Sequence, residues 1–188
     1  MTAPEIVLAR HGETEWSRTM RHTGRTDVPL TEAGREEARS LASRLTERDF
    51  ARVLVSPLAR AVETCELAGL GEGPERRDEL LELHYGEYEG LTTATIRETV
   101  PDWTVWTHGS PGGETLEDVG RRLAPLVDEL RSADGDVAVF AHGHVLRAIG
   151  ALWIGLEAAD GARLALATGT LSVLGWERET PVVRSWNS

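Results

Sequence analysis

Apolar residues fall along this chain in two kinds of pattern. Glu5 to Ala9, Arg52 to Ser56 and Val137-Ala138-Val139-Phe140-Ala141 are short and nearly unbroken, as expected of strands covered on both faces. Elsewhere the period is helical. Ala38, Leu41, Ala42 and Leu45 recur at i, i+3, i+4 and i+7, with Thr31 placed to cap and Glu32 in the first turn, predicting one helix to Leu45. Pro57 suits a first helical turn and opens a helix to about Ala68, ended by Gly69, Gly71, Gly73 and Pro74. A short helix is predicted near Thr93 to Val100, stopped by Pro101. Thr115 to Asp118 reads as a capping box with Asp in its last position, opening a helix to Arg131 that Pro125 should kink. His142-Gly143-His144 leads into a further helix, and Leu171 to Trp176 and Val182 to Trp186 read as closing strands. Strands alternating with helices predict an α/β fold, a three-layer sandwich with a largely parallel sheet flanked by helices.

Composition bounds this picture. With 188 residues and no linker-like segment, residues 1–188 are expected to form one domain. Cys65 is the single cysteine, so no intramolecular disulfide can form and cysteine-rich zinc sites are excluded; helix packing is its expected role. The chain reaches an apolar run almost at once, without a basic segment before it, and no stretch approaches the about 20 apolar residues of a membrane helix. A cytoplasmic protein with no membrane partner is the expectation, and a homodimer is compatible with it. The net charge of −11 argues against nucleic-acid binding through a broad basic face. Any anionic ligand must therefore find a local concentration of arginine.

That concentration emerges at the strand ends. Arg10-His11-Gly12, Ser56 to Arg60 and His142-Gly143-His144 each follow a predicted strand, and in open α/β sheets ligands bind outside the carboxyl ends of the strands. Convergence would put arginines, histidines and helix N-termini around one point, a site for an anion. Any one such residue alone is most simply a surface or capping group. Together they suit phosphoryl chemistry, in which a neutral imidazole attacks phosphorus, guanidinium forks hold the oxygens and a carboxylic acid protonates the leaving alcohol.

Arg10-His11-Gly12-Glu13-Thr14-Glu15-Trp16, Ser56 to Arg60 with Thr64, Glu82 followed by His84 to Gly90, and His142-Gly143 resemble, in order and spacing, the histidine phosphatase superfamily in its phosphoglycerate mutase-like branch. The resemblance spans almost the whole chain. It implies a metal-free and cofactor-free phosphomonoesterase acting on a small-molecule phosphate ester, with His11 as nucleophile, Arg10, Arg60 and His142 binding the phosphoryl group and Glu82 as proton donor. Glu87 and Glu89 compete for the last role, but the family's acid stands four residues before Gly86. The resemblance also implies substrate contacts from Thr23 and Gly24, from Ser17, where the family most often has Asn, and from the amide of Gly143.

His22, His84, His108 and His144 read by default as surface or packing residues, and Trp103 and Trp106 either border the pocket mouth or pack a loop. The mutases of the family carry a longer insertion than the Leu91 to Gly113 span here, so an open site favours hydrolysis. Glu15-Trp16-Ser17, Leu91-Thr92-Thr93 and Trp106 to Gly109 look like mutase-like acid phosphatases and sugar-phosphate phosphatases. A phosphoglycerate mutase is the alternative, and a catalytically silent binding module a weaker one.

Overall fold

The computed structural model describes residues 4–188. Its six strands are β1 (Ile6–Arg10), β2 (Arg52–Val55), β3 (Glu75–Arg76), β4 (Val137–Ala141), β5 (Leu171–Glu177) and β6 (Thr180–Ser185). They form one sheet in the order β3-β2-β4-β1-β5-β6, parallel from β3 to β1 and antiparallel at β5 and β6. The helices are α1 (Glu15–Arg18), α2 (Glu32–Ser40), α3 (Ala42–Leu45), α4 (Ala59–Cys65), α5 (Thr93–Arg97), α6 (Val105–His108), α7 (Leu116–Arg131) and α8 (Gly143–Trp153).

The all-apolar strands are explained by what covers them. Ile6 and Leu8 of β1 pack with α7 and α8, through Leu123, Leu126, Leu146 and Ile149, while Val7 and Ala9 pack with α3 and α4, through Leu45, Ala61 and Cys65. Successive side chains of a strand point to opposite faces, so helices on both sides require apolar residues at every position. Three layers result, as the sequence pattern predicts.

Boundaries differ from the expected ones for local reasons. The predicted helix to Leu45 divides at Leu41 into α2 and α3. The second helix begins at Ala59, because Leu58 is extended and Pro57 lies outside it, and it widens after Cys65 into a looser turn that ends through Gly69 at φ 84°. The short helix ends at Arg97 rather than Val100. The Thr115 and Asp118 capping box forms, and α7 runs on through Pro125 to Arg131.

One contact fixes α2 against the loop after β1. A methyl group on Gly34 would lie 2.1 Å from the Glu13 carbonyl oxygen, and one on Gly12 would lie 2.1 Å from that of Gly34. Backbone meets backbone there, and neither side can yield. Gly34→Ala should therefore cost about 2 kcal/mol, within the range of overpacked cores. A melting temperature lowered by roughly 4–8 °C in thermal denaturation is expected; an unchanged value would contradict this packing.

Candidate active site

Because β1, β4 and β2 are neighbours and parallel, the residues after them meet at one edge of the sheet. Backbone bonds lock the approach: the His11 amide donates to the Ala141 carbonyl (3.1 Å) and that of Ser56 to Phe140 (2.9 Å). The His11 and His142 rings consequently lie with centroids 5.1 Å apart, both buried. His11 Nδ1 is 2.8 Å from the Gly12 carbonyl oxygen. A carbonyl can only accept, so Nδ1 carries the proton and Nε2 keeps its lone pair. Burial, then the charges of Arg60 and Arg10, holds the imidazole well below the ordinary histidine range.

Arg60 is completely buried. Its Nε donates to His142 Nδ1 (3.2 Å), which leaves His142 Nε2 as the donor to Ser56 Oγ (2.7 Å). Its Nη1 donates to the Thr26 carbonyl (2.9 Å) and its Nη2 to those of Gly24 (2.9 Å) and Thr23 (3.4 Å). The amides of Gly24 and Thr26 donate in turn to Glu89 Oε1 at 2.9 and 3.0 Å. The 23–26 loop is thus gripped through its carbonyls by a cation and through its amides by an anion. Glu89, a rival for proton donor in the sequence, is committed to this grip.

A cavity of about 230 Å³ opens in front of His11. Its lining includes the buried His11, Glu82, Tyr85 and Gly143, the partly buried Arg10, His144, Ser17, Thr23 and Arg147, and the exposed Arg21. Of the residues singled out in the sequence, Arg60, His142 and Gly24 stand behind this surface rather than on it. A buried guanidinium must place its donors, and three loop carbonyls and His142 take four of the five. Ser17 lines the cavity, but its hydroxyl donates to the Thr14 carbonyl (3.0 Å) in the capping box of α1. The missing side chain at Gly143 admits Arg10, since a methyl there would lie 3.3 Å from the guanidinium carbon.

Glu82 substitutes for a side-chain cap on α8. Its Oε2 accepts from the His144 amide (3.0 Å) and its Oε1 from those of Val145 (3.1 Å) and Leu83 (2.9 Å). Burial alone would raise this carboxyl, yet the His144 side chain, and with it the His144 backbone amide, hold it well below the usual range. His144 Nδ1 also lies 2.7 Å from the Tyr85 hydroxyl. The packing default for histidine thus fits His84 and His108, whereas His144 and His22 line the cavity. His144 was within reach of sequence reasoning, because it opens a helix two residues after His142. Trp103 is buried and packs a loop, donating to the Gly109 carbonyl (2.8 Å), whereas Trp106 packs on His144 and Arg147, two residues that line the cavity. No group of three or more His, Cys, Asp or Glu among the described residues is arranged to hold a metal, and no helix is long and apolar enough to cross a membrane.

The profile of the histidine phosphatase superfamily (branch 1) matches residues 6–188. The chain belongs to that superfamily and is a phosphatase enzyme. It is 44% identical over 179 residues to an acid phosphatase of Mycobacterium tuberculosis, covering 92% of this chain and 86% of that one. It is 40% identical over 160 residues to the 2,3-bisphosphoglycerate-dependent phosphoglycerate mutase 2 of Gloeobacter violaceus, covering 77% and 73%. Among solved structures, a mycobacterial glucosyl-3-phosphoglycerate phosphatase in complex with VO3 superposes with a TM-score of 0.88 at 30% identity, covering 99% of this chain and 100% of that one.

Depressed histidines carry a pH consequence. Below about pH 6.5 the unfolded chain binds protons that His11 and His142 refuse when folded, and His22, pushed by burial and then His144 to about 4, behaves alike. Stability is therefore full above pH 6.5 and falls as the pH drops toward 4. Urea unfolding at pH 7.5 and 5 should show this loss, and imidazole NMR signals of His11 should not titrate between pH 8 and 5.5. Titration of His11 near pH 6.5 would contradict the site electrostatics.

Proposed function

We propose that this phosphatase hydrolyses small-molecule phosphate monoesters in two displacements through a phosphohistidine on His11. The observation that carries this reading is the fixed tautomer, Nδ1 on the Gly12 carbonyl and Nε2 free as a nucleophile in a ring that stays neutral. In the first step Nε2 attacks phosphorus in line, the bond to the ester oxygen breaks, and that oxygen takes a proton from Glu82. In the second, the Glu82 carboxylate takes a proton from water, the oxygen attacks phosphorus, and the phosphorus–nitrogen bond breaks to release phosphate.

Glu82 is ionised at rest, so the proton must be acquired. A phosphoryl anion set beside it repels the carboxylate and raises its proton affinity, and the proton is taken up as substrate binds. Arg10 supplies a buried Nε that has no acceptor among the described residues, a donor ready for a phosphoryl oxygen. Arg60 and His142, next to His11, exchange bonds to the loop carbonyls and to Ser56 for the equatorial oxygens as the anion enters. Thr23 and Gly24 shape that side, Ser17 lies at the rim, and the Gly143 amide adds a donor at the positive end of α8. The short 91–113 span leaves the phosphohistidine open to water, which favours phosphatase over mutase. The acidic chain and its small site suit a cytoplasmic enzyme of small anions rather than a binder of nucleic acid.

Incubation with a labelled phosphomonoester followed by quenching should trap acid-labile phosphate on His11. His11→Ala should abolish label and turnover, and Glu82→Gln should lower kcat by about 10²- to 10³-fold. Unlabelled enzyme, with turnover surviving in His11→Ala, would overturn the reading. Phosphoryl transfer between the hydroxyls of phosphoglycerate faster than phosphate release would favour the mutase.

A further inference from the structure

Two displacements through His11 need a proton that Glu82 does not hold at rest. Its carboxylate is buried, and both oxygens accept from backbone amides, Oε1 from Leu83 and Val145 and Oε2 from His144. Amides donate hydrogen bonds without giving up their protons, so these partners are not the source. His144 is the one basic side chain in ion-pair contact with Glu82 among the described residues, its Nδ1 lying 3.6 Å from Oε2.

His144 can exchange protons with solvent where Glu82 is shielded. It lines the cavity, and 19% of its side-chain surface is exposed against 6% for Glu82. The ring is also held in place, with Nδ1 2.7 Å from the Tyr85 hydroxyl and Trp106 packed on it at 5.0 Å between centroids. Burial pushes the Tyr85 phenol well above its usual range, so that hydroxyl keeps its proton and is a fixed partner rather than a second acid. The other titratable or charged groups around the ring are His22, with centroids 6.5 Å apart, His142 two residues earlier, Arg147 one turn along α8, and Arg10 in the cavity lining. Burial keeps His22 and His142 neutral, and arginine does not release its proton.

We propose that His144 is the proton store for Glu82, a positioning residue that enters each cycle as imidazolium and passes its Nδ1 proton to Oε2 as the substrate anion arrives. The Nδ1–H bond breaks, its electron pair stays on nitrogen, and the new O–H bond carries the proton that the ester oxygen then takes. In the second displacement the proton that Glu82 draws from water returns to Nδ1, so the enzyme ends as it began. The resting separation is about 0.4 Å beyond the reach for direct transfer, a gap of the kind that closes when substrate binds. A phosphoryl anion beside the carboxylate drives the transfer, because exchanging an ion pair for a neutral pair removes the negative charge nearest to it. This store rests on the phosphohistidine reading of His11.

A proton store matters only where the leaving oxygen needs a proton. p-Nitrophenyl phosphate releases a stable phenolate and sn-glycerol 3-phosphate a strongly basic alkoxide. The ratio of their kcat/KM values, glycerol over nitrophenyl ester, therefore reads proton supply and cancels effects common to both, phosphate binding included. In the wild-type enzyme this ratio should be level at low pH and fall through one ionisation as the pH rises. His144→Asn places an amide nitrogen near the position of Nδ1, where it keeps a hydrogen bond but releases no proton. That variant should lose about tenfold or more on the glycerol ester beyond any loss on the nitrophenyl ester at neutral pH, and its fall in the ratio should move to lower pH. Label on His11 with equal losses on the two esters, or with the fall at the same pH in both proteins, overturns the store alone. A wild-type ratio independent of pH does the same without any variant. Absence of label from both esters overturns the phosphohistidine reading and the store with it.

Discussion

A guanidinium buried with no carboxylate partner among the described residues, that of Arg60, joins the separate parts of this site. It comes from α4, touches the residue that follows β4, and holds three carbonyls of the loop that follows α1. Burying such a charge is costly unless every donor is occupied, and here the occupants are the pieces that must stay in register around His11. After burial, the same charge is what most depresses both neighbouring histidines. One interaction therefore fixes geometry and protonation state together.

The opposite wall follows a complementary logic. A helix beginning at a strand end presents unbonded amides, and Glu82 occupies those of α8. That stabilises the resting carboxylate and works against its use as an acid until an anion arrives beside it. In the proposed mechanism, proton supply is thereby coupled to occupancy of the site. His144 and Tyr85, bonded to each other beside Glu82, set the orientation of this wall.

Much of this was legible in the sequence, for physical reasons. The strands β1, β2 and β4 announce themselves because both faces are covered, and α7 because of its capping box. The strand β3 did not, since Glu75 and Arg76 are exposed and held by backbone pairing to β2 that leaves no side-chain pattern. His11, Arg10 and Glu82 were implied by the family resemblance and do line one cavity. Where a side chain faces is a tertiary matter, so sequence alone could not place Arg60 and His142 behind His11, commit Glu89 to the loop, or bring His22, Arg21 and Arg147 to the rim.

The central claim is that phosphorus changes partners twice, first to His11 and then to water. The stereochemical course tests this most directly. A thiophosphate ester made chiral with oxygen isotopes is hydrolysed in isotopically labelled water, and the configuration of the released thiophosphate is determined. Each in-line displacement inverts phosphorus, so two predict overall retention. Overall inversion would mean that water attacks the ester directly and that His11 never carries the phosphoryl group.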